Sequence, residues 1–405
     1  MFGTRRDKGR PRVFYAAGGP GDVLRAHRHW REQVPDTREI SVTFSSQIAD
    51  YCEAHASAAY FVSPHPEAVK VEDKQFVIEH RPRPMPNAAG IMYHLRELWY
   101  GGGLVATALR FRADVALLDS GATTYPVMFI FKLFGLKVIP ILHMTLWPAG
   151  HRPSGKKADA FWFASSAFFR YAADAVVGVS PECLRQIDEL TRGHAPPSFQ
   201  ALAQFWSHSF SSPTPPPAHD ARFNVLYVGR LESNKGVFEL VEAAATLERE
   251  LPGRFHFRIF GEGAAADELR ANIEERGLGN VVEAPGYLLP EDAPAERARS
   301  HVGIVPTRSD FNEGMAMTAI ESILAGRPLV ATSVVPASEV LSEATVVCEP
   351  DNSESIARAL KDLASDEGHY LRLSAACAEL GRPFLDRAQG LAEALQRAAE
   401  AAGTG

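Results

Sequence analysis

The chain has 405 residues, of which 46% are hydrophobic and 22% charged; this predicts two folded domains and excludes a disordered chain. Its net charge of −7 divides into +5 over residues 1–200 and −12 over residues 201–405. Because the chain has no dense run of basic residues, the sequence argues against a general nucleic-acid-binding protein. Two explanations of the uneven charge stay open: chance variation between two solvated surfaces, or a first half that approaches an anionic lipid or acceptor.

The sequence has features of a cytoplasmic protein. Its four cysteines are scattered without metal-type spacing, which favours reduced thiols. The polar, basic N-terminus is followed by a strand that is too short for the apolar core of a signal peptide. Lys132 and Lys137 interrupt the apolar stretch 125–147, so we expect a buried helix and strand there rather than a membrane span.

The first half alternates short apolar runs with helical patterns, as expected of a parallel sheet covered by helices. The predicted strands are Val13–Ala17, Ile40–Phe44, Ala59–Val62, Val115–Asp119, Val138–His143 and Ala175–Val179. A long helix is predicted at Gly90–Phe111. We assign residues 10–205 to this first Rossmann-like domain.

Proline and serine dominate residues 206–220, which predicts a linker. The alternation then restarts, with predicted strands at Asn224–Val228, Phe255–Phe260, Val281–Ala284, Val302–Val305, Pro328–Thr332 and Thr345–Cys348. The predicted helices are Phe238–Leu251, Ala264–Arg276, Gly314–Ala325 and Ser353–Ala364. We assign residues 221–380 to a second Rossmann-like domain, and a C-terminal helix at about 382–402 could pack back on the first. The fold class is therefore α/β, with two doubly wound domains facing a central cleft.

Two glutamates, Glu313 and Glu321, stand eight positions apart around the predicted start of a helix. At about 1.5 Å of rise per residue they would be roughly 12 Å apart, the span of a sugar, a diphosphate and a ribose. Gly314 would let a ligand approach the backbone, and free N–H groups at Met315 to Met317 would face phosphates. Taken alone, the pair has another explanation. One glutamate would stabilise the helix dipole at the N-terminus, and the other would be an unrelated surface residue.

Two cations follow the first strand of the second half directly. Arg230 and Lys235, five residues apart in a glycine-bounded loop, could grip a diphosphate from two sides. The alternative is a pair of solvated surface cations. A further glycine turn at Gly261 also follows a predicted strand, and by itself it indicates a turn and nothing more.

In this order and spacing, the segments VLYVGRLESNKG, FRIFGEGAAADELR, VVEAPGYL and VPTRSDFNEGMAMTAIESILAGRPLVAT resemble glycosyltransferase family 4, a retaining family of the GT-B fold. The resemblance covers about residues 222–333, and Glu313 and Glu321 match the family's pair of glutamates separated by seven residues. It implies that Arg230 and Lys235 bind the diphosphate of a nucleotide-sugar donor. It further implies that Glu313 contacts the transferred sugar, that Glu321 contacts the ribose, and that the base lies near Tyr287 and Leu288.

The first half resembles the family more loosely. A glycine-rich loop with Gly18, Gly19 and Gly21 follows the first strand, where the family places the sugar and diphosphate. His143 ends a strand and matches a histidine near the donor sugar, although a structural role explains a lone histidine as well. The resemblance thus assigns catalysis to His143, Arg230, Lys235 and Glu313. Donor binding falls to Gly18, Gly19, Gly21, Gly229, Arg230, Lys235, Gly261, Tyr287, Leu288, Glu313, Gly314, Met315, Ala316, Met317 and Glu321.

The implied reaction is retaining transfer of a sugar from a nucleotide-diphosphate sugar to a hydroxyl of a glycan, glycolipid or small molecule. The chain contains no Asp-x-Asp, so we expect no metal and no cofactor. A nucleotide-sugar epimerase and a non-catalytic scaffold subunit remain as alternatives. We expect a cytoplasmic protein, with peripheral contact to the inner membrane face if the basic and aromatic stretch 151–171 is not simply a packed helix.

Overall fold

The computed structural model of the chain describes residues 10–210, 214–220 and 222–404. Contacts divide the chain into two units. The first is built from the described parts of Met1–Met144, Ser154–Gln204 and Arg387–Gly405, and the second from those of Thr145–Pro153 and Phe205–Asp386. The loop 145–153, assigned from the sequence to the first domain, therefore groups with the second unit. Residues 1–9 and, of the predicted linker, residues 211–213 lie outside the described residues.

The first unit contains a sheet of eight strands in the order β4-β5-β3-β1-β6-β7-β8-β9. Its strands pair in parallel, except that β4 runs antiparallel to β5 at one edge. The strands that begin in this unit, including the short β2 and β10, are β1 Val13–Ala16, β2 Ser41–Val42, β3 Ala59–Ser63, β4 Val69–Asp73, β5 Phe76–His80, β6 Val115–Asp119, β7 Lys137–Leu142, β8 Val176–Gly178, β9 Ser198–Gln200 and β10 Gln204–Phe205. Its central strands are buried along almost their whole length, which explains their continuous apolar runs.

Helices cover this sheet. They are α1 Val23–Glu32, α2 Phe44–Ala54, α3 Gly90–Phe111, α4 Tyr125–Leu133, α5 Lys156–Tyr171 and α6 Pro181–Thr191. The stretch 125–147 forms α4 and the buried β7, which confirms the predicted helix and strand. Among the described residues, no helix is long and apolar enough to cross a membrane.

The second unit contains six parallel strands in the order β13-β12-β11-β14-β15-β16. The strands are β11 Phe223–Val228, β12 Phe255–Phe260, β13 Val282–Gly286, β14 Val302–Val305, β15 Leu329–Thr332 and β16 Thr345–Cys348. The helices are α7 Val237–Glu250, α8 Ala266–Glu275, α9 Ala293–Arg299, α10 Met317–Leu324, α11 Ala337–Val340, α12 Ser353–Ser365 and α13 Glu367–Gly381. The α/β class with two Rossmann-like units is therefore confirmed.

The last helix, α14 Leu391–Ala401, belongs to the first unit. Its buried face joins the core around β1, β3 and β6. The N–H of Leu391 donates to Oε1 of Gln47 at 2.7 Å, so a side chain of α2 satisfies a free donor at the start of α14. The helix starts nine residues later than residue 382, because two 3-10 turns occupy Arg382–Leu385 and Arg387–Gln389.

In the first unit, one local prediction was wrong and one feature was missed. The predicted strand Ile40–Phe44 is reduced to Ser41–Val42, because Thr43 caps α2 by accepting a hydrogen bond from the N–H of Ser46. The hairpin of β4 and β5 was not predicted. The edge strand β4 is largely exposed and carries charged residues, so it lacks the apolar run by which the other strands were recognised.

Both sheets have a switch point, where the chain winds to one side of its first strand and then to the other. In the first unit this point lies between β1 and β6, and in the second it lies between β11 and β14. Ligands of open α/β sheets bind beyond the carboxyl ends of the strands at such points. The fold therefore marks one candidate position in each unit.

Candidate functional site

A cavity of about 160 Å³ lies at the switch point of the second unit. It opens where β11 and β14 end, and it is lined by Tyr227, Val228, Gly229, Arg230, Lys235, Ile304, Val305, Thr307, Glu313, Ala316, Met317 and Thr318. The structure thus brings together the loop after β11, the residues before α10 and the first turn of α10. The loop after β11 is more than 70 residues from the other two segments in the chain, so the cavity depends on the fold.

An ion pair lies at the wall of this cavity. Nζ of Lys235 is 2.7 Å from Oε2 of Glu313, and the two side chains are only 15% and 12% exposed. The hydroxyl of Thr307 donates to the same carboxylate oxygen at 3.1 Å. Both side chains are therefore partly exposed to the cavity, and each carries a charge that the other neutralises.

Arg230 is the more accessible of the two predicted cations. Its side chain is 57% exposed and pairs with Glu232 at 2.8 Å. Both cations lie against the ring of Phe311, with Lys235 Nζ at 3.8 Å and Arg230 Cζ at 5.5 Å from its centroid. Phe311 was not predicted from the sequence as a site residue, although it lies only two residues before Glu313 in the chain. Cation–π contact with this ring orients both positive groups towards one region.

Tight glycine turns hold this loop in place. The N–H of Gly229 donates to the carbonyl of Phe260 at 3.0 Å. A Cβ on Gly261, which has φ +147°, would stand 1.8 Å from the carbonyl oxygen of Gly229, so a side chain cannot be accommodated there. Gly261 does not line the cavity and instead allows two strand ends to meet. Gly236 does the same beside Lys235, since its Cβ would stand 1.9 Å from the carbonyl oxygen of Pro306.

The prediction of a helix start at Gly314 was wrong, because α10 begins at Met317. Glu313 and Gly314 precede the helix, so the estimate of roughly 12 Å between the two glutamates along one helix axis does not hold. Ala316 turns the chain into the helix with φ +55°, a conformation that is uncommon for a residue with a side chain. Gly314 and Met315 are buried and lie outside the cavity lining, whereas Ala316 and Met317 line it.

Glu321 lies inside α10 and forms a buried ion pair with Arg297. Their side chains are 11% and 7% exposed. The pair borders a second cavity of about 20 Å³, which shares Val228, Ile304 and Thr318 with the first. The two glutamates are thus placed around adjoining cavities, each with a basic partner. Arg297 was not predicted as a site residue, because nothing in the sequence distinguishes it from the other charged residues of α9.

The two residues expected near a nucleotide base lie outside both cavity linings. The side chain of Leu288 is buried in a small cluster with Leu226 and Phe260. Tyr287 is 59% exposed. Leu226 itself borders the second cavity, so the cluster around Leu288 lies beside it.

The loop 145–153 positions Glu313. The N–H of Thr145 donates to the backbone carbonyl of Glu313 at 3.3 Å. The side-chain amide of Asn312 donates to the carbonyls of Thr145 and Leu146, at 3.2 and 3.0 Å. Sequence reasoning missed this because it counted the loop with the first domain.

The switch point of the first unit holds the glycine-rich loop. A Cβ on Gly18 would stand 2.1 Å from the carbonyl oxygen of Ser120, so only glycine allows the ends of β1 and β6 to approach this closely. The N–H of Gly18 and the hydroxyl of Tyr15 donate to Oδ2 of Asp119, at 3.2 and 2.7 Å. A Cβ added to Gly19 or Gly21 would meet no heavy atom of the described chain within 4 Å, so space beside the loop is open.

His143 joins the same cluster in the first unit. Its ring nitrogen Nε2 lies 2.7 Å from Oδ1 of Asp119, and its ring centroid is 4.5 Å from that of Phe44. The backbone N–H of His143 donates to the hydroxyl of Ser120 at 2.9 Å. The imidazole is 21% exposed. Asp119 was missed as a functional residue, although a carboxylate that ends the apolar strand VALLD was a detectable signal. The described residues include no cluster of three or more His, Cys, Asp or Glu side chains that could hold a metal ion.

Comparison with known sequences identifies relatives of the second unit. Residues 214–380 match the model of the family described as glycosyl transferases group 1. Alpha-D-kanosaminyltransferase of Streptomyces kanamyceticus is 33% identical over 150 residues, which is 36% of this chain and 38% of the relative. The chain therefore matches less than two fifths of that relative's length.

Solved structures match over nearly the whole chain. Anabaena Alr3699/HepE, crystallised with UDP, has a TM-score of 0.66 at 15% identity, covering 97% of this chain and 100% of that one. Sucrose-phosphate synthase from Thermosynechococcus elongatus has a TM-score of 0.70 at 17% identity, covering 96% and 97%. At these identities the likeness concerns the fold, which is that of the GT-B glycosyltransferases.

Proposed function

We propose that the protein is a retaining glycosyltransferase that moves a sugar from a nucleoside-diphosphate sugar to a hydroxyl acceptor. The observation that carries this is the cavity at the switch point of the second unit, where Arg230, Lys235 and Glu313 meet. The match of residues 214–380 to glycosyl transferases group 1 supports the reaction class. The fold neighbour crystallised with UDP supports a nucleotide donor.

The charges of the cavity suit the two parts of such a donor. Lys235 and Arg230 would bind the diphosphate, since an ammonium and a guanidinium can hold phosphate oxygens from different directions. The carboxylate of Glu313 would accept hydrogen bonds from hydroxyls of the transferred sugar. Before the donor arrives, Lys235 and Glu313 neutralise each other at 2.7 Å, and the donor would divide them between phosphate and sugar.

The chemical step would depend on electrostatic stabilisation of the leaving group. The bond between the anomeric carbon and the leaving phosphate oxygen breaks, and the acceptor oxygen bonds to the same face of that carbon. The acceptor's proton passes to the leaving phosphate oxygen, so the products are a glycoside and a nucleoside diphosphate. Lys235 and Arg230 would stabilise the negative charge that develops on the leaving group, which is the role we propose in place of a metal ion.

The remaining assignments extend this proposal. Glu321 would contact the ribose from the smaller adjoining cavity, with Arg297 paired to its carboxylate. In the first unit, the glycine-rich loop and His143, oriented beside Asp119, would serve the transferred sugar. Tyr287 and Leu288 would lie near the base.

The test is a thermal shift measurement with a panel of nucleoside diphosphates and nucleotide sugars, with EDTA present. We expect one nucleoside diphosphate at about 100 times its Kd to raise Tm by several degrees. Lys235→Ala should lose this ligand-induced rise. It should also lower kcat/KM by roughly 10²–10³ in a transfer assay, the usual cost of losing one charge-stabilising donor.

A matched control is available for the lysine. Lys361 also forms an ion pair, with Nζ 2.7 Å from Oε2 of Glu250. This pair is far more exposed than that of Lys235, since each of its side chains is 45% exposed. Lys361→Ala should therefore keep the ligand-induced rise in full. An equal rise in wild type and Lys235→Ala, or no rise with any nucleotide, would refute the donor site.

A further inference from the structure

A long apolar stripe lies on the solvent side of α3. Its members are Ile91 (78% exposed), Met92 (48%), Leu95 (51%), Leu98 (52%) and Trp99 (69%). At about 100° per residue, these five positions fall within an arc of roughly 120°. We call this face the α3 stripe. An amphipathic helix of a soluble protein normally turns such an arc towards its core.

The α3 stripe is not the packing face of the helix. The opposite side of α3 is buried and includes Tyr100, Gly101, Leu104 and Ala108. Gly101 marks the contact with α4, because a Cβ there would stand 2.4 Å from Cγ1 of Val127. The helix is therefore apolar on two sides, and packing within the first unit uses only one of them. Five clustered exposed apolar side chains mark a surface that binds something else.

Positive charge surrounds this face. Within the first unit, residues 81–144 and 154–171 contain 10 Lys and Arg against 4 Asp and Glu, a net charge of +6. Two of the four acids, Glu97 and Asp119, are buried, and Glu97 is paired with Arg96 at 2.9 Å. Arg110 lies on the same side of α3 about three turns beyond Trp99, since eleven residues complete close to three turns. Arg81, Lys132 and Lys137 pair with Glu79 and Asp174, two acids just outside these ranges. The exposed charges within the ranges are Arg110, Arg112, Lys156, Lys157 and Arg170 against Asp114 and Asp159, so the exposed charge is net basic.

The neighbouring helices of the first unit also carry exposed apolar side chains and cations. α4 packs between α3 and α5. Leu133 and Phe134 at the end of α4 are 72% and 58% exposed, and Phe163 on α5 is 79% exposed. Exposed cations on α5 are Lys156, Lys157 and Arg170. Of the other aromatic side chains of α5, Trp162, Phe168 and Phe169 are buried and Tyr171 is 65% exposed. The aromatic residues of α5 are therefore used largely for packing, and α3 supplies the main apolar face.

We propose that the α3 stripe docks the protein on an anionic lipid surface, with its apolar side chains in the interface and the surrounding cations on the headgroups. Helices that lie in the membrane interface combine an apolar face containing Trp and Leu with nearby basic residues. Charge distinguishes this partner from a second copy of the chain. In a two-fold dimer the same patch meets itself, so the basic rim would face a basic rim.

The experiment is flotation of the purified full chain with vesicles of phosphatidylcholine alone and of phosphatidylcholine mixed with phosphatidylglycerol. We expect binding to the mixed vesicles that weakens as salt is raised, and little binding to the neutral ones. Leu95→Asp should lower the partition coefficient by about tenfold or more, since it removes apolar burial and adds a repelled charge. The matched control is Leu371→Asp, a leucine of equal 51% exposure on α13 of the second unit, which should bind like wild type.

A second readout does not depend on a charged substitution. Trp99 fluorescence should be quenched by brominated lipid in the mixed vesicles, and the quenching should be lost in Trp99→Phe while flotation persists. Absence of flotation, or equal flotation of wild type and Leu95→Asp, would overturn the proposal. A dimer that Leu95→Asp dissociates, without vesicle binding, would assign the stripe to self-association instead. Nucleotide is not needed in any of these measurements, so their failure is separate from failure of the donor site.

Discussion

Arg297 and Glu321 illustrate how one buried residue constrains another. A carboxylate that is 11% exposed is stable in the interior of the second unit only with its guanidinium partner. We expect Arg297→Met to lower the free energy of unfolding by about 3–5 kcal/mol, because it leaves Glu321 uncompensated. Urea unfolding should show that the double variant Arg297→Met/Glu321→Leu recovers most of that loss. A single variant as stable as wild type would mean that the stability of the second unit does not depend on the Arg297–Glu321 pair.

His301 predicts a dependence of stability on pH. It is fully buried, its Nδ1 accepts from the N–H of Asn224 at 2.9 Å, and its Nε2 donates to the carbonyl of Ala218 at 3.2 Å. This arrangement requires the neutral ring, whose tautomer follows from the two partners. Burial lowers the pKa of His301 to about 4, with smaller contributions from nearby basic groups.

Because the pKa is lower in the folded state than the usual 6.5, protonation favours the unfolded chain. The contribution of the neutral His301 to the free energy of unfolding is present above pH 6.5 and is lost as the pH falls towards 4. Between pH 7.5 and 5 the loss due to His301 should be about 2 kcal/mol. His301→Gln should show a correspondingly smaller change in its urea midpoint between these two pH values. An unchanged pH dependence would assign the effect to other buried histidines.

At the scale of elements, the turn between β11 and α7 places Lys235 at the cavity. Gly236 and Gly253 have nearly the same left-handed φ, +73° and +72°, but only Gly236 faces a backbone atom. Gly253→Ala should therefore cost about 1–2 kcal/mol from conformation alone. Gly236→Ala should cost more and should also weaken nucleotide binding, because the turn must move away from Pro306. Equal costs in thermal unfolding, with nucleotide shifts intact, would contradict this role.

The elements also show what the sequence could and could not predict. Strands buried on both faces, such as β6 and β14, have predicted bounds that agree with the structure because their apolar runs are continuous. The start of α10 was misplaced because nothing in EGMAM reveals the positive φ of Ala316. The end of β11 located Arg230 and Lys235, and the spacing of the two glutamates located Glu313. Partners such as Phe311, Arg297 and the loop 145–153 depend on tertiary contacts that no local pattern contains.

At the scale of the whole molecule, the first unit is assembled from both ends of the chain. Leu395 of α14 is fully buried in the core that contains Val13 and Ile48. Leu395→Ala should therefore destabilise the first unit by about 2–5 kcal/mol and raise hydrogen exchange of the β1 and β6 amides. Leu371→Ala, at a half-exposed position on α13, should remain within about 0.5 kcal/mol of wild type. Similar effects of the two substitutions would show that α14 contributes little.

The position of α14 has a consequence for biosynthesis. A ribosome completes residues 1–204 first, yet the helix that closes their core is made only after the second unit. During that interval the apolar surface that will receive α14 is open, and nascent chains are exposed to aggregation or chaperone capture. Supplying α14 first, in a circularly permuted gene that begins near residue 387, should let the first unit fold as it emerges and raise the soluble yield.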